Sequence, residues 1–129
     1  MAPALILVVD DDPDILDALS EILEGEGYAV DRAKHGREAL QKVDERKPQL
    51  ILLDLMMPVM DGYEFSQQLK KRNSGEDIPI VVLSADRSVK AKASQIGARD
   101  YLAKPFELTD LLRIVGEMVP APSPPGAPA

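Results

Sequence analysis

The stretch that decides the fold is LILLDLMMPVMDG, from Leu50 to Gly62. Four aliphatic residues, Leu50 to Leu53, lead directly into Asp54. A short, continuous run of branched residues is the pattern of a strand covered on both faces, and such strands belong to parallel sheets. The carboxylate at its end is the anomaly, because an unpaired carboxylate taken out of water costs several kcal/mol or more. Asp54 must therefore surface where the run stops, and a neighbouring group must compensate its charge.

The pattern repeats outward from that stretch. Ala4–Val9 (ALILVV) and Ile80–Leu83 (IVVL) are the same kind of run. Tyr28–Ala33 (YAVDRA) alternates, as a strand with one wetter face does, and Asp100–Lys104 (DYLAK) is a short fifth candidate. Helix-period segments lie between them. After Asp12, a good N-cap, and Pro13, a good first helical residue, Ile15, Leu16, Leu19, Ile22 and Leu23 share one face, and Gly25 and Gly27 end the segment. Ala39, Leu40 and Val43 mark a second helix, stopped before Pro48; Tyr63 to Leu69 marks a third. Val89, Ala93 and Ile96 mark a fourth, closed by Gly97, and Leu108, Leu111, Leu112 and Val115 a fifth, ended by Pro120. Strand and helix alternating in this way predict an α/β fold, a parallel sheet with helices on both faces.

The composition narrows the chemistry. The chain of 129 residues is 45% hydrophobic and 29% charged, which suits one packed domain. It has no cysteine, which excludes disulfides, thiolate metal sites and cysteine nucleophiles and fits a reducing compartment. A single histidine excludes a multi-histidine metal site built from this chain alone. The net charge of −7 is the wrong sign for a phosphate-backbone binder, so no direct nucleic-acid binding is expected within the chain. The opening MAPALILVVDDD has no basic region and ends its short apolar run in acids, and no run is long enough to span a membrane. A cytoplasmic location is the expectation. The last stretch, Pro120–Ala129 (PAPSPPGAPA), has no apolar pattern. It reads as a flexible tail or linker stub in preference to a proline-rich ligand, leaving residues 1–119 as the domain.

In an open parallel sheet, ligands bind beyond the carboxyl ends of the strands. The first strand delivers Asp10, Asp11 and Asp12 to that edge, the third Asp54, the fourth Ser84, and the fifth Lys104 followed by Pro105. Each has an ordinary structural reading: a cap or turn residue for Asp54, Asp12 and Ser84, a surface lysine at a turn for Lys104, turn chemistry for Met60–Gly62. Their coincidence on one edge argues for a site. Clustered carboxylates bind protons or a hard cation, and oxygen-only ligands favour Mg²⁺. The charges of Asp10, Asp11 and Asp54 balance those of one Mg²⁺ and Lys104. This is the chemistry of an aspartyl phosphate, with Asp54 as nucleophile, Asp10 and Asp11 holding metal, Lys104 as a point charge and Ser84 as a hydrogen-bond donor.

The motifs ILVVDDDPDI, LILLDLMMPVMDG, IVVLSA and GARDYLAKPF, in this order and spacing, resemble the receiver domain of two-component response regulators from Leu5 to about Val119. The resemblance implies a doubly wound, flavodoxin-like (βα)5 fold with strand order 2-1-3-4-5. It implies phosphorylation on Asp54 by a sensor histidine kinase or phosphotransfer protein, with Mg²⁺ held by Asp10, Asp11, Asp54 and the backbone carbonyl of Met56. It makes Ser84 and Tyr101 a switch pair, and the Lys104–Pro105 bond cis. The switched surface is that of the fourth helix, fifth strand and fifth helix, which meets a downstream partner or a second copy. Met56 and Asp86 flank the path of the water that removes the phosphoryl group. The family is a signalling module, acting as a catalyst only on its own phosphorylation and dephosphorylation.

Three other readings compete. An aspartate-nucleophile phosphatase fits the D-x-D within Asp10–Asp12, but the chain is short for a cap and Asp54 is left without a role. A flavin carrier needs a phosphate loop where this chain has three acids. A scaffold or dimerisation module of the same fold that is never phosphorylated is the alternative the residues exclude least.

Overall fold

Why the apolar runs differ in character is explained by where they sit in the sheet. In the computed structural model, which describes residues 4–54, 62–72, 78–85 and 87–119, the chain alternates strand and helix throughout. The elements are β1 (Leu5–Val9), α1 (Pro13–Gly25), β2 (Ala29–Ala33), α2 (Gly36–Glu45), β3 (Leu50–Asp54), α3 (Gly62–Lys70), β4 (Ile80–Ser84), α4 (Val89–Ile96), β5 (Asp100–Ala103) and α5 (Leu108–Met118). The strands form one parallel sheet in the order β2-β1-β3-β4-β5. This is the flavodoxin-like (βα)5 fold. Every residue of β1, β3 and β4 is buried, whereas β2 and β5, at the edges, are only partly so. Continuous apolar runs are thus the central strands, and the mixed sequences are the edges.

The pleat divides the core in two. Leu7, Val9, Ile51, Leu53, Ile80 and Val82 face one layer, where they meet apolar residues of α2, α3 and α4. Ile6, Val8, Leu50, Leu52, Val81 and Leu83 face the other, against Leu16, Leu19 and Leu23 of α1 and Leu111, Ile114 and Val115 of α5. The same alternation carried to the strand ends gives Asp10, Asp54 and Lys104 the parity of the α1/α5 face. Ser84 and Tyr101 take the parity of the α4 face, and Tyr101 packs against that cluster.

Local chemistry sets the helix ends. The Asp12 side chain accepts a hydrogen bond from the Asp14 amide at 2.9 Å, with Pro13 in the first turn. At α2 the cap is His35, whose Nδ1 accepts from the Glu38 amide at 3.1 Å while Glu38 Oε1 accepts from the Lys34 amide at 2.8 Å. This resembles a capping box, with an imidazole in place of the usual hydroxyl and with Glu38 reaching back to the amide before the cap in place of the cap's own. Helix α4 closes on Gly97, whose φ of 74° is left-handed. One feature opposes stability: the buried Ser20 hydroxyl of α1 has no hydrogen-bond partner, a burial that typically costs about 1–3 kcal/mol. Leu108, expected on the packed face of the fifth helix, is 47% exposed instead, because it sits at the first position of α5, before the helix settles onto the sheet. No described helix is long and apolar enough to cross a membrane.

Candidate functional site

Strand β1 ends at Val9, and the next residue, Asp10, remains buried because its amide donates to the Ala33 carbonyl of β2 at 3.1 Å. One Asp10 carboxylate oxygen accepts from the Asp12 amide at 2.9 Å, and the other receives the Lys104 ammonium at 3.0 Å. Asp54 is the last residue of β3, held in the ladder opposite Leu83. It is buried too, contrary to the expectation that it surfaces where the apolar run stops, because the β3–β4 ladder extends to it; Asp11 is exposed. Carboxylate oxygens of Asp10, Asp11 and Asp54 all lie within 4.8 Å of one another. Chain connectivity therefore brings together acids from two adjacent strands, as the sequence expected.

Lys104 comes from the far side of the site. It follows β5, and two strands, β4 and β3, separate β5 from β1. Its amide donates to the Ser84 carbonyl at 2.8 Å, which extends the β4–β5 pairing, and its peptide bond to Pro105 is cis. The lysine arm thus crosses the carboxyl edge of β3 and β4 to meet Asp10, with its side chain 19% exposed and that of Asp10 2%. Ser84 is fully buried as the last residue of β4, and Tyr101 is half-buried in β5. Met56, Asp86 and Pro120–Ala129 lie outside the described residues. The Lys104–Asp10 pair is a contact the sequence reading did not foresee, since Lys104 was assigned to an incoming phosphoryl group alone. The repulsion among three carboxylates was the signal for it.

Beside the acidic cluster runs an apolar groove of about 510 Å³, lined by Ile15, Leu19 and Ile22 of α1 and by Lys104, Phe106 and Leu108 on the other side. Lys104 belongs to both features.

The sequence profile of the response regulator receiver domain matches residues 6–116. This chain belongs to that family. Among relatives of this receiver domain, the response regulator MprA of Mycolicibacterium vanbaalenii is 46% identical over 112 residues, covering 85% of this chain and 48% of the relative. MprA of a Mycobacterium species, strain KMS, is 41% identical over 128 residues, covering 98% of this chain and 55% of its own length. The chain thus spans about half the length of the curated relatives it matches. Among solved structures, a chemotaxis protein CheY4 of Vibrio cholerae superposes with a TM-score of 0.85 at 34% identity, over 92% of this chain and 100% of that one. The receiver domain of a Pseudomonas aeruginosa sensor histidine kinase, with magnesium coordinated in its active-site cleft, superposes with a TM-score of 0.82 at 31% identity, over 91% of this chain and 98% of that one.

The receiver domain described here carries an acidic cluster like the magnesium sites of its relatives. Its own donor set fits such an ion: three hard carboxylates, two of them buried, with one lysine ammonium in contact. An oxygen-only set of this charge is suited to Mg²⁺.

Proposed function

We propose that this receiver domain is a phosphorylation-controlled switch that accepts a phosphoryl group on Asp54. The observation that carries the reading is the convergence of Asp10, Asp11 and Asp54 with Lys104 on one strand edge. Asp54 supplies the nucleophilic oxygen; the new Asp54 O–P bond forms as the P–N bond to the donor's imidazole breaks, and the electron pair stays on the imidazole. Asp10 and Asp11 hold Mg²⁺ together with Asp54, and the family pattern adds the backbone carbonyl of Met56. When bound, the ion neutralises charge on the transferring oxygens. Lys104 is shared between Asp10 and the incoming group, and the Ser84 hydroxyl donates to a phosphoryl oxygen.

Tyr101 shares the α4-face parity of Ser84, so a shift of the Ser84 hydroxyl frees space for its ring. The surface of α4, β5 and α5 then changes for a downstream partner or a second copy. Met56 and Asp86 are assigned to the dephosphorylation path.

The donor is a sensor histidine kinase or phosphotransfer protein. Because Lys104 lines both the acidic cluster and the apolar groove, a donor helix bearing the phosphohistidine would rest in the groove between α1 and Leu108. Leu108→Asp should slow transfer from the cognate protein at least tenfold, about 1.4 kcal/mol, and leave phosphorylation by acetyl phosphate unchanged. Equal loss with both donors would remove the groove from the docking role.

Intact mass after incubation with acetyl phosphate tests the central claim. One added phosphoryl group is expected with Mg²⁺ and none with excess chelator. No addition from acetyl phosphate or from any protein donor would leave the phosphorylation-independent scaffold as the better reading.

A further inference from the structure

The C-terminal end of α5 is fastened to the opposite end of the sheet from the acidic site. The Tyr28 hydroxyl donates to the Val119 carbonyl at 2.7 Å across a sequence separation of 91 residues, in a buried setting. Val119 is held at two further points: its amide donates to the Val115 carbonyl at 2.8 Å, and its side chain is 4% exposed within the α1/α5 core. Tyr28 is anchored as firmly. Its ring is 6% exposed in the same core, and its amide donates to the Leu23 carbonyl of α1 at 3.1 Å. The left-handed Gly27, with φ of 96°, turns the chain into this position.

We propose that Tyr28 is a positioning residue that clamps Val119 and so holds the end of α5 in place against α1 and the start of β2. A phenylalanine would fill the same space in the core as well, so packing alone does not call for the hydroxyl. The backbone carbonyl of Val119, the C-cap of α5, also has no intrahelical partner of its own. The hydroxyl supplies that partner and ties the end of α5 to both the end of α1 and the start of β2. Burial, with a smaller contribution from Glu26, holds the Tyr28 hydroxyl above its ordinary pKa, so it remains a donor at neutral pH. The clamp lies beyond the amino ends of the strands, away from Asp54, so the end of α5 and the acidic edge are held by separate parts of the fold.

Tyr28→Phe tests the proposal in the full chain. Amide hydrogen exchange in the last turn of α5 should speed about fivefold to tenfold, as expected for loss of one buried hydrogen bond. Exchange through local opening of α3, which does not touch the clamp, and the rate of phosphorylation by acetyl phosphate, should not change. Because the chain has no cysteine, spin labels can be placed at Glu45→Cys and at Glu117→Cys in the last turn of α5, and their distance distribution should broaden in Tyr28→Phe. Tyr28→Leu, which also removes the ring, should speed exchange in α1, β2 and α5 together. The proposal is overturned if Tyr28→Phe leaves both the last turn and the label distances unchanged, or if exchange in α3 rises as much as in the last turn of α5.

Discussion

Asp54→Ala is expected to abolish the Mg²⁺-dependent gain of one phosphoryl group completely while leaving the domain folded. The residue sits at the end of a central strand, and its removal takes one negative charge from a cluster whose oxygens lie within 4.8 Å of one another. Losing a nucleophile ends covalent chemistry, whereas losing one of several mutually repelling carboxylates relieves a native-state cost. The two effects separate in measurement. Intact mass reads the chemistry, and thermal unfolding in chelator reads the repulsion, with a Tm no lower than that of the parent. A phosphoryl group still added to this edge in the variant would refute Asp54 as the acceptor. The variant should also bind Mg²⁺ more weakly, since one of its carboxylate ligands has gone.

Lys104→Ala should give the largest change in stability. The Lys104–Asp10 pair is 3.0 Å long, with only 19% and 2% of the two side chains exposed. Removing one partner of a buried pair leaves the other charge uncompensated, which costs about 3–5 kcal/mol. Here the remaining charge is beside two further carboxylates. In chelator, Tm should fall by roughly 10 °C. The sign reverses for metal binding. With the competing ammonium gone, Mg²⁺ should bind more tightly, and a ligand that binds only the folded state restores stability by mass action. The variant should therefore gain more Tm from added Mg²⁺ than the parent does. Equal Tm losses with and without Mg²⁺, together with unchanged Mg²⁺ affinity, would show that Lys104 and the ion do not share the acidic cluster.

Much of this arrangement was legible in the sequence, for identifiable reasons. The central strands could be read because burial on both faces requires unbroken apolar runs, and Asp12-Pro13 and Gly97 announced helix ends by their backbone chemistry. Strand limits were less legible. Sequence placed the ends at Leu53 and Leu83, but β3 and β4 continue to Asp54 and Ser84, because ladder partners Leu83 and Ala103 hold their backbones. Such pairing leaves no trace in side-chain hydrophobicity. Tyr28 was read as the start of a strand; it precedes β2, and its burial comes from α5, whose approach no local pattern encodes. His35 as a cap was missed because imidazole is an uncommon cap, although Glu38 three residues on was the available signal. The rule that ligands bind beyond the carboxyl ends of parallel strands located the acidic edge, and the direct Lys104–Asp10 contact emerged only with the fold.

The alternating pleat gives the site a reading frame. Asp10, Asp54 and Lys104 occupy one phase of it, and Ser84 and Tyr101 the other. Deleting one residue within β3 would leave the acceptor in the sequence but rotate it into the opposite phase, away from its metal partners and toward the hydroxyl. The helices that cover the sheet can change their outer surfaces without touching that phase. Those outer surfaces can therefore diverge without moving the acidic edge.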